Sequence, residues 1–191
     1  MTDERLLAEA SRGREAAFLE LYERHRDAVF RFAYRMLNST ELAEDVTHDC
    51  FLSLIKEPGR FDKKRVSLRT YLFAAARNQS AKRYLNFNRE APLEDYSETF
   101  STPEAHQPSQ RVLDDELASE VRRAIANLPP LQREALVLFE YEDLSLAEIG
   151  AIVGADSNTV KARLFRARDK LRASLGRYFR IGREAATVRR A

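Results

Sequence analysis

A short segment near the C-terminus combines helix signals with basic side chains, a combination that proteins use to contact DNA. Residues 145–148, Ser-Leu-Ala-Glu, match a capping box, which starts a helix. Gly154 favours a left-handed turn, and Asp156 or Ser157 can cap the helix that follows. Two helices joined by a short turn that contains Gly form a helix-turn-helix. The spacing therefore predicts this motif over residues 145–172.

The second helix of the motif has an outward face that suits DNA. Arg can bond guanine through two hydrogen bonds, and Lys or Arg can meet phosphates. Val160, Leu164 and Leu171 supply the buried stripe. The candidate DNA-contacting residues are Asn158, Thr159, Lys161, Arg163, Phe165, Arg166 and Arg168. An ordinary solvated helix face is the alternative, and for Phe165 a place in the core.

The charge distribution also indicates a polyanionic partner. The chain has 191 residues and a net charge of +2. Residues 158–191 hold 11 basic and 2 acidic side chains, whereas residues 89–120 hold 2 basic and 9 acidic ones. A basic end behind an acidic middle is typical of a chain that binds a polyanion at one end.

Helical spacing of apolar residues runs through most of the chain. Breaks fall at Gly13, 38–40, Pro58-Gly59 and Pro129-Pro130, with Ser67 as a further cap. The predicted helices cover residues 4–12, a long segment ending at 37, 41–56, 68–87, a unit from 111, then 131–140, a short helix ending at 153, and 158–178. The prediction is an all-α chain.

Residues 89–110 differ from both flanks. They include three prolines, several Ser and Thr, and few aliphatic residues, so they cannot bury enough apolar surface to offset the entropy of ordering. The sequence predicts two small helical domains, 1–88 and 111–178, joined by a flexible acidic linker, 89–110, with a basic tail at 179–191.

Other functional classes lack support in the sequence. No apolar run approaches membrane-spanning length and no signal peptide is visible, so we expect a cytoplasmic protein. Cys50 is the only cysteine, which excludes an intramolecular disulfide. His25, His48, Cys50 and His106 show no metal-ligand spacing, and no phosphate loop or nucleophile elbow is present. We predict no metal, no cofactor, no small-molecule substrate and no catalytic site.

The motif and its surroundings resemble a known family. SLAEIGAIVGADSNTVKARLFRARDKLRASL, with IANLPPLQREALVLFEYEDLS before it, resembles region four of extracytoplasmic-function (ECF) sigma factors of the sigma-70 family. AFLELYERHRDAVFRFAYRML, LAEDVTHDCFLSLIK and LRTYLFAAARNQSAKRYL resemble region two in order and spacing. The likeness spans about 15–87 and 111–175. The chain departs from the family pattern at three positions. His48 stands where the family usually has Gln, Cys50 where it has Val or Ala, and Ala162 where it often has Ser.

The resemblance implies roles for particular residues. In region four, the face defined above would read the −35 element. In region two, the loop from Arg60 to Val66 resembles the family's loop that captures a flipped base. The helix after this loop resembles the helix that engages the −10 element. The implied −10 residues are Lys63, Lys64, Arg77, Asn78, Lys82 and Arg83. Tyr71 and Tyr84 are candidates for base stacking or for core packing.

The resemblance also implies partners. Core RNA polymerase would be bound through its β′ clamp helices and its β flap, with Glu44, Asp45, Asp49 and Phe51 at the clamp contact. The linker would thread through the polymerase interior. An anti-sigma factor, often membrane-bound, would hold the free protein. The alternatives are a stand-alone helix-turn-helix regulator and a pure interaction protein such as a sigma-like decoy.

Overall fold

Helices form all the regular structure in the parts of the chain that the structure describes. The computed structural model describes residues 1–87 and 114–188, with side chains over 1–84 and 117–176. The helices are α1 Asp3–Ala10, α2 Glu15–Leu37, α3 Thr40–Lys56, α4 Leu68–Phe87, α5 Asp114–Ala126, α6 Pro130–Glu140, α7 Leu146–Val153 and α8 Ser157–Val188, with a 3-10 turn at Pro58–Arg60. The predicted all-α class is confirmed, whereas the predicted linker lies outside the described residues.

The helix boundaries follow local signals in the sequence. Asn38 ends α2 in a left-handed conformation, and the Ser39 hydroxyl accepts a hydrogen bond from the N–H of Leu42 to begin α3. The Ser67 hydroxyl accepts from the N–H of Thr70 at the start of α4. Pro130 occupies the first position of α6, where its missing N–H costs nothing.

The N-terminal half is a bundle of α2, α3 and α4, with α1 packed against α2. Large apolar side chains from the three bundle helices fill its centre. Phe32 of α2 and Phe73 of α4 are each 1% exposed or less, and their rings meet edge to face with centroids 5.7 Å apart. This bundle holds α4 and the loop before it in a fixed relation to α3.

The C-terminal half is built around α6, which α7 and α8 cover. A run of consecutive residues in α6, from Arg133 to Leu138, is buried. Helices that are buried on more than one side belong to the interior of a fold rather than to its surface. Helix α8 packs against α6 with one face, and its opposite face is exposed.

The two halves are packed against each other. Helices α2 and α4 contact α6 and α7, and the buried apolar residues of both halves form one continuous cluster. The guanidinium of Arg133 donates to the carbonyl of Met36, 2.8 Å away. Arg35 lies over the ring of Tyr141 at 4.0 Å from its centroid. The halves are therefore two helical units sharing one interface.

Helix α8 is longer than predicted. Its backbone continues to Val188, although the sequence analysis ended this helix at residue 178 and placed a separate tail at 179–191. Gly176 and Gly182, which lie inside the helix, do not stop it, because each glycine costs a helix only about 1 kcal/mol and no proline lies among residues 177–188. The basic segment beyond 178 thus extends α8 as far as Val188.

Gly150 lies where α7 closely approaches the turn that joins it to α8, so a substitution there tests this contact. A Cβ at this position would lie 2.5 Å from the backbone oxygen of Ala155, which has little freedom to move. We expect Gly150→Ala to lower the free energy of unfolding by about 1–3 kcal/mol, as overpacking does. Urea denaturation followed by circular dichroism measures the effect.

The matched control for that variant is Gly176→Ala in α8. A Cβ at Gly176 meets nothing within 4 Å, so this variant should gain about 0.5–1 kcal/mol from helix propensity. Equal stabilities for the two variants would show that the turn tolerates a side chain at position 150.

The capping box makes a second, pH-dependent prediction. Hydrogen bonds from the Ser145 hydroxyl and N–H lower the pKa of Glu148 from its usual 4.5. Stabilisation from this carboxylate is thus present above pH 4.5 and is lost as pH falls through the lowered folded-state pKa. We expect Ser145→Ala to cost about 1 kcal/mol at pH 7, measured by urea denaturation.

The difference between wild type and Ser145→Ala should shrink as pH falls below 4.5. Ser174→Ala, on the exposed side of α8, is the control and should leave stability nearly unchanged. A Ser145→Ala penalty that stays constant down to pH 3 would contradict the assigned role of the Glu148 carboxylate.

Candidate nucleic-acid and polymerase interfaces

The helix-turn-helix has the predicted geometry. Ser145 and Glu148 make both hydrogen bonds of the capping box, and Gly154 ends α7 in a left-handed conformation. Asp156 then begins α8, because its Oδ1 accepts from the N–H groups of Asn158 and Thr159 at 2.8 and 2.9 Å. These hydrogen bonds lower the pKa of Asp156, so its carboxylate is charged at neutral pH. The turn sets the direction in which α8 leaves the motif.

Helix α8 divides into a buried stripe and an outward face. Val160, Leu164 and Ala167 are buried, as helical spacing requires. Lys161 and Arg166 are exposed, and no ion pair to either is present among the described side chains. These two cations are therefore available to an anionic partner.

Phe165 lies on the outward face of α8 rather than in the core. Its side chain is 65% exposed, which is unusual for a ring of this size in a soluble protein. It borders a cleft of about 410 Å³ that Lys161, Leu164, Phe139 and Arg168 also line. An exposed ring between two cations suits contact with a base edge or a thymine methyl group.

Three other residues of the predicted −35 surface take part in local contacts. The Thr159 hydroxyl donates to Asp156 at 2.8 Å, next to the exposed Asn158. Arg168 pairs with Glu140 at 2.6 Å at an exposed position. Arg163 is only 15% exposed and pairs with Glu134 at 3.3 Å. In this arrangement Arg163 faces the interior of the molecule rather than solvent.

The predicted −10 residues of α4 also separate into two groups. Asn78 and Lys82 are exposed. Arg77 donates from Nε to Oε2 of Glu134 at 2.8 Å, and Arg83 donates to Asp49 at 2.5 Å. Both arginines are thus engaged by carboxylates of the same chain.

The loop before α4 presents Lys63 and Lys64 to solvent. Next to them is a cleft of about 380 Å³, whose other walls include Phe61 of the loop and Leu7 of α1. Phe61 also meets the half-buried ring of Tyr71 edge to face, with centroids 5.6 Å apart. The cleft therefore combines an apolar hollow with a rim of mixed charge, in which Lys63 and Lys64 adjoin the carboxylates Glu4 and Asp62.

Helix α3 has an acidic outward face. Glu44 and Asp45 are exposed, while Asp49 is partly covered by its pair with Arg83. Phe51 is 1% exposed and packs edge to face against Tyr22, with centroids 4.8 Å apart. The expectation that Phe51 belongs to a contact surface is therefore wrong for this structure, because the ring is part of the bundle core.

Leu52 is the apolar side chain that α3 does expose. It is 38% exposed, and it follows Asp45 by seven residues and His48 by four, so the three share one helical face. Sequence reasoning missed it because both Phe51 and Leu52 fit an apolar pattern. The helical spacing that puts Leu52 on the same face as the polar residues Asp45 and His48 was the signal that could have identified it.

Buried charges at the interface between the halves were also missed. Glu134 and Glu142 have side chains 5% and 1% exposed, and burial raises the pKa of both, although neighbouring arginines oppose this. Burial lowers the pKa of Arg133 to about 10, which still leaves its guanidinium charged at neutral pH. Nothing in their residue types distinguishes them from surface charges, but the uninterrupted apolar run 135–139 indicates that α6 is buried on several sides.

Cys50 and His48, two candidate metal ligands on α3, lie in different surroundings. Cys50 is buried, and burial raises the pKa of its thiol to about 12. His48 is exposed on the other side of α3. Within 1–87 and 114–188, no group of three or more His, Cys, Asp or Glu residues is placed to hold a metal ion. None of the helices described there is both long enough and apolar enough to span a membrane.

Comparison with known proteins finds the same two units. The family described as Sigma-70 region 2 matches residues 21–90, and the family described as Sigma-70, region 4 matches residues 118–171. The ECF RNA polymerase sigma factor SigE of Mycolicibacterium smegmatis is 34% identical over 83% of this chain and 62% of its own length. The ECF RNA polymerase sigma factor SigM of Mycobacterium tuberculosis is 30% identical over 92% of this chain and 85% of its own.

A solved structure agrees with these sequence matches. The sigma factor RpoE from Bartonella quintana, in complex with the anti-sigma factor NepR, has a TM-score of 0.63 and 27% identity. The alignment covers 79% of this chain and 91% of that one. With both regions matched in order and relatives that align over most of their length, the chain belongs to the ECF RNA polymerase sigma factors of the sigma-70 family.

Proposed function

We propose that this protein is an alternative sigma factor that binds core RNA polymerase and directs promoter-specific transcription initiation. The observation that carries the proposal is the presence, in one chain of this family, of an outward basic face on α8 and an outward acidic face on α3. The first suits promoter DNA and the second suits a basic protein surface. The polymerase performs the chemistry, and this chain contributes binding alone, in the cytoplasm where polymerase and DNA are found.

Recognition of the −35 element is assigned to the outward face of α8. The first turns of a recognition helix lie in the major groove with side chains on base edges. Lys161, Phe165 and Arg166 support this assignment because they are exposed in this part of α8. Asn158 and Thr159 adjoin this surface at the N-terminus of the helix, where the Asn158 side chain is exposed and the Thr159 hydroxyl donates to Asp156.

Recognition of the −10 element is assigned to α4 and the loop before it. Lys63 and Lys64 border the cleft beside Phe61, which would receive an unstacked base. Asn78 and Lys82 extend this surface along α4. Arg77 and Arg83 would join it once they leave their carboxylate partners.

Polymerase binding is assigned to the exposed face of α3. Glu44, Asp45 and Leu52 support it, since interfaces combine an apolar anchor with a charged rim. Leu52 takes the place that the sequence analysis gave to Phe51. The similar sigma factor RpoE of Bartonella quintana is bound to the anti-sigma factor NepR in its solved structure. We propose that an anti-sigma factor also controls this protein.

Runoff transcription tests the proposed function directly. Core RNA polymerase is assayed on genomic fragments with and without this protein. Discrete transcripts that require the protein are expected, and their start sites would locate both promoter elements. If no transcripts appear while the protein alone binds duplex DNA tightly, a stand-alone helix-turn-helix regulator is the better description.

Arg166→Ala tests the −35 assignment. If Arg166 bonds a base through two hydrogen bonds, its loss should weaken promoter-specific initiation by about 1–3 kcal/mol and relax preference at one −35 position. Transcription from a set of −35 variants measures both effects. Arg122→Ala, which removes an exposed arginine from α5, is the control for loss of charge alone. Unchanged −35 preference in Arg166→Ala would remove this residue from the assignment.

Asp45→Ala and Leu52→Ala test the α3 face. Each should weaken binding to core polymerase by more than about 1 kcal/mol if it belongs to the centre of the interface. Fluorescence anisotropy of labelled protein titrated with core polymerase measures the affinity. Asp27→Ala, at an exposed position of α2, is the control. Normal polymerase affinity in both α3 variants would place the contact on another surface.

A further inference from the structure

Helix α1 forms one wall of the cleft of about 380 Å³ beside the loop that precedes α4. The residues that α1 and its C-cap contribute to this α1 wall are Glu4, Leu7, Ala8 and Ser11, and those of the opposite wall are Pro58, Phe61, Asp62, Lys63 and Lys64. The two walls are far apart in the chain, so only the tertiary structure brings α1 next to the loop.

Helix α1 has a fixed position because it is held against α2. Leu6 and Ala10 are buried in the apolar core. One oxygen of the Asp3 carboxylate accepts from Arg24 at 2.6 Å, and the other lies 2.8 Å from Nε2 of the buried His25. Apolar burial and these polar contacts to α2 together determine which side of α1 faces the cleft.

The polar side chains of the α1 wall accept hydrogen bonds and have none to donate. The Glu4 side chain is exposed, and no ion pair to it is present among the side chains described over 1–84 and 117–176. An ionised carboxylate only accepts. The Ser11 hydroxyl donates its one hydrogen to the carbonyl of Leu7 at 2.8 Å, which leaves its lone pairs for a ligand. The α1 wall is therefore an acceptor surface.

The loop on the opposite wall carries its side-chain donors at the rim. The N–H of Phe61 donates to the carbonyl of Pro58 at 3.2 Å. The N–H of Lys64 donates to the Asp62 carboxylate at 2.9 Å. Neither N–H is thus free for a ligand, and the side-chain donors are the exposed ammonium groups of Lys63 and Lys64. Such point charges at the edge of a cleft suit the phosphates on either side of a bound base.

The four DNA bases differ in what they offer to an acceptor surface. Adenine, cytosine and guanine each carry an exocyclic amino group, whose N–H bonds a carboxylate can accept. Thymine has no amino group, and its one N–H stands between two carbonyl oxygens that a carboxylate repels. A site built to hydrogen-bond a group rejects an analogue that lacks it, because the groups covered by the bound ligand then stay unpaired.

We propose that α1, through the carboxylate of Glu4, selects the flipped −10 base by its amino group and excludes thymine from the cleft. The ring of Phe61 provides an apolar surface for the base, and Glu4 accepts from the amino group. Lys63 and Lys64 meet the adjacent phosphates. This inference rests on the proposed function, since it takes the cleft as the site of the unstacked base.

Holoenzyme, assembled from core polymerase and the full chain, locates the flipped position. The start sites from runoff transcription define a promoter. The fluorescent base 2-aminopurine is then placed in turn at each position of the −10 element on the non-template strand, and it is brightest where it is unstacked. One position should stand out. The absence of any unstacked position would overturn the proposal.

The base at that position is then varied in a promoter that is premelted over the −10 element, so that base-pair strength does not contribute. Cytosine and 5-methylcytosine should bind wild-type holoenzyme about ten-fold more tightly than thymine and uracil in competition binding. Thymine and 5-methylcytosine share the methyl group, so this pair separates recognition of the amino group from steric exclusion of the methyl. Equal or tighter binding with thymine than with 5-methylcytosine would overturn the proposal.

Substitutions of Glu4 test the assignment to α1. Glu4→Gln gives a side chain that both donates and accepts, so the preference for 5-methylcytosine over thymine should be largely lost. Glu4→Lys replaces the acceptor by a donor and should make thymine the better base. Glu23→Gln, at an exposed position of α2, is the control and should keep the wild-type preference. An unchanged preference in both Glu4 variants would remove Glu4 from this role.

The ratio between bases is compared within each variant, so a change in overall DNA affinity or in stability does not enter the result. Runoff transcription separates failure of this inference from failure of the function. A wild-type protein that directs no transcripts refutes the proposed function, whereas one that initiates transcription and prefers thymine at the flipped position refutes the base selection alone.

Discussion

The architecture depends on two adjacent charged residues, Arg133 and Glu134, that α6 buries where the halves meet. Arg133 donates to the carbonyl of Met36 at the end of α2 and to the carbonyls of Ala126 and Leu128 at the end of α5. A cation at a helix C-terminus satisfies carbonyls that have no partner in the helix and opposes the negative end of its dipole. A hydrogen bond to a charged group contributes about 1.5–3 kcal/mol, so these contacts help to set how the halves meet.

This interface determines which cations remain available on the surface. Lys161 and Arg166 of α8 stay exposed, whereas Arg163 pairs with Glu134. On α4, Lys82 stays exposed, whereas Arg77 is held by the same carboxylate. Each of these helices therefore has cations that are exposed and one arginine that is paired at the interface between the halves.

The acidic face of α3 follows from the packing of the N-terminal bundle. Phe51 meets Tyr22 in the core, and this orientation sets Asp45 and Leu52 outward. Arg83 of α4 pairs with Asp49 of α3, and this ion pair links the two helices. A partner that binds α3 thus contacts a surface directly connected to α4.

The sequence by itself determined the features that depend on neighbouring residues. The capping box at Ser145 and the left-handed turn at Gly154 involve groups within a few residues of one another, so residue type and spacing were enough, whereas for the cap of α8 they left Asp156 and Ser157 as alternatives. Only the tertiary structure decided the burial of Phe51 and Glu134, the exposure of Leu52 and Phe165, and the packing of one half on the other. Those outcomes depend on which helix faces meet across long separations in the chain, and neither helical periodicity nor charge type contains that information.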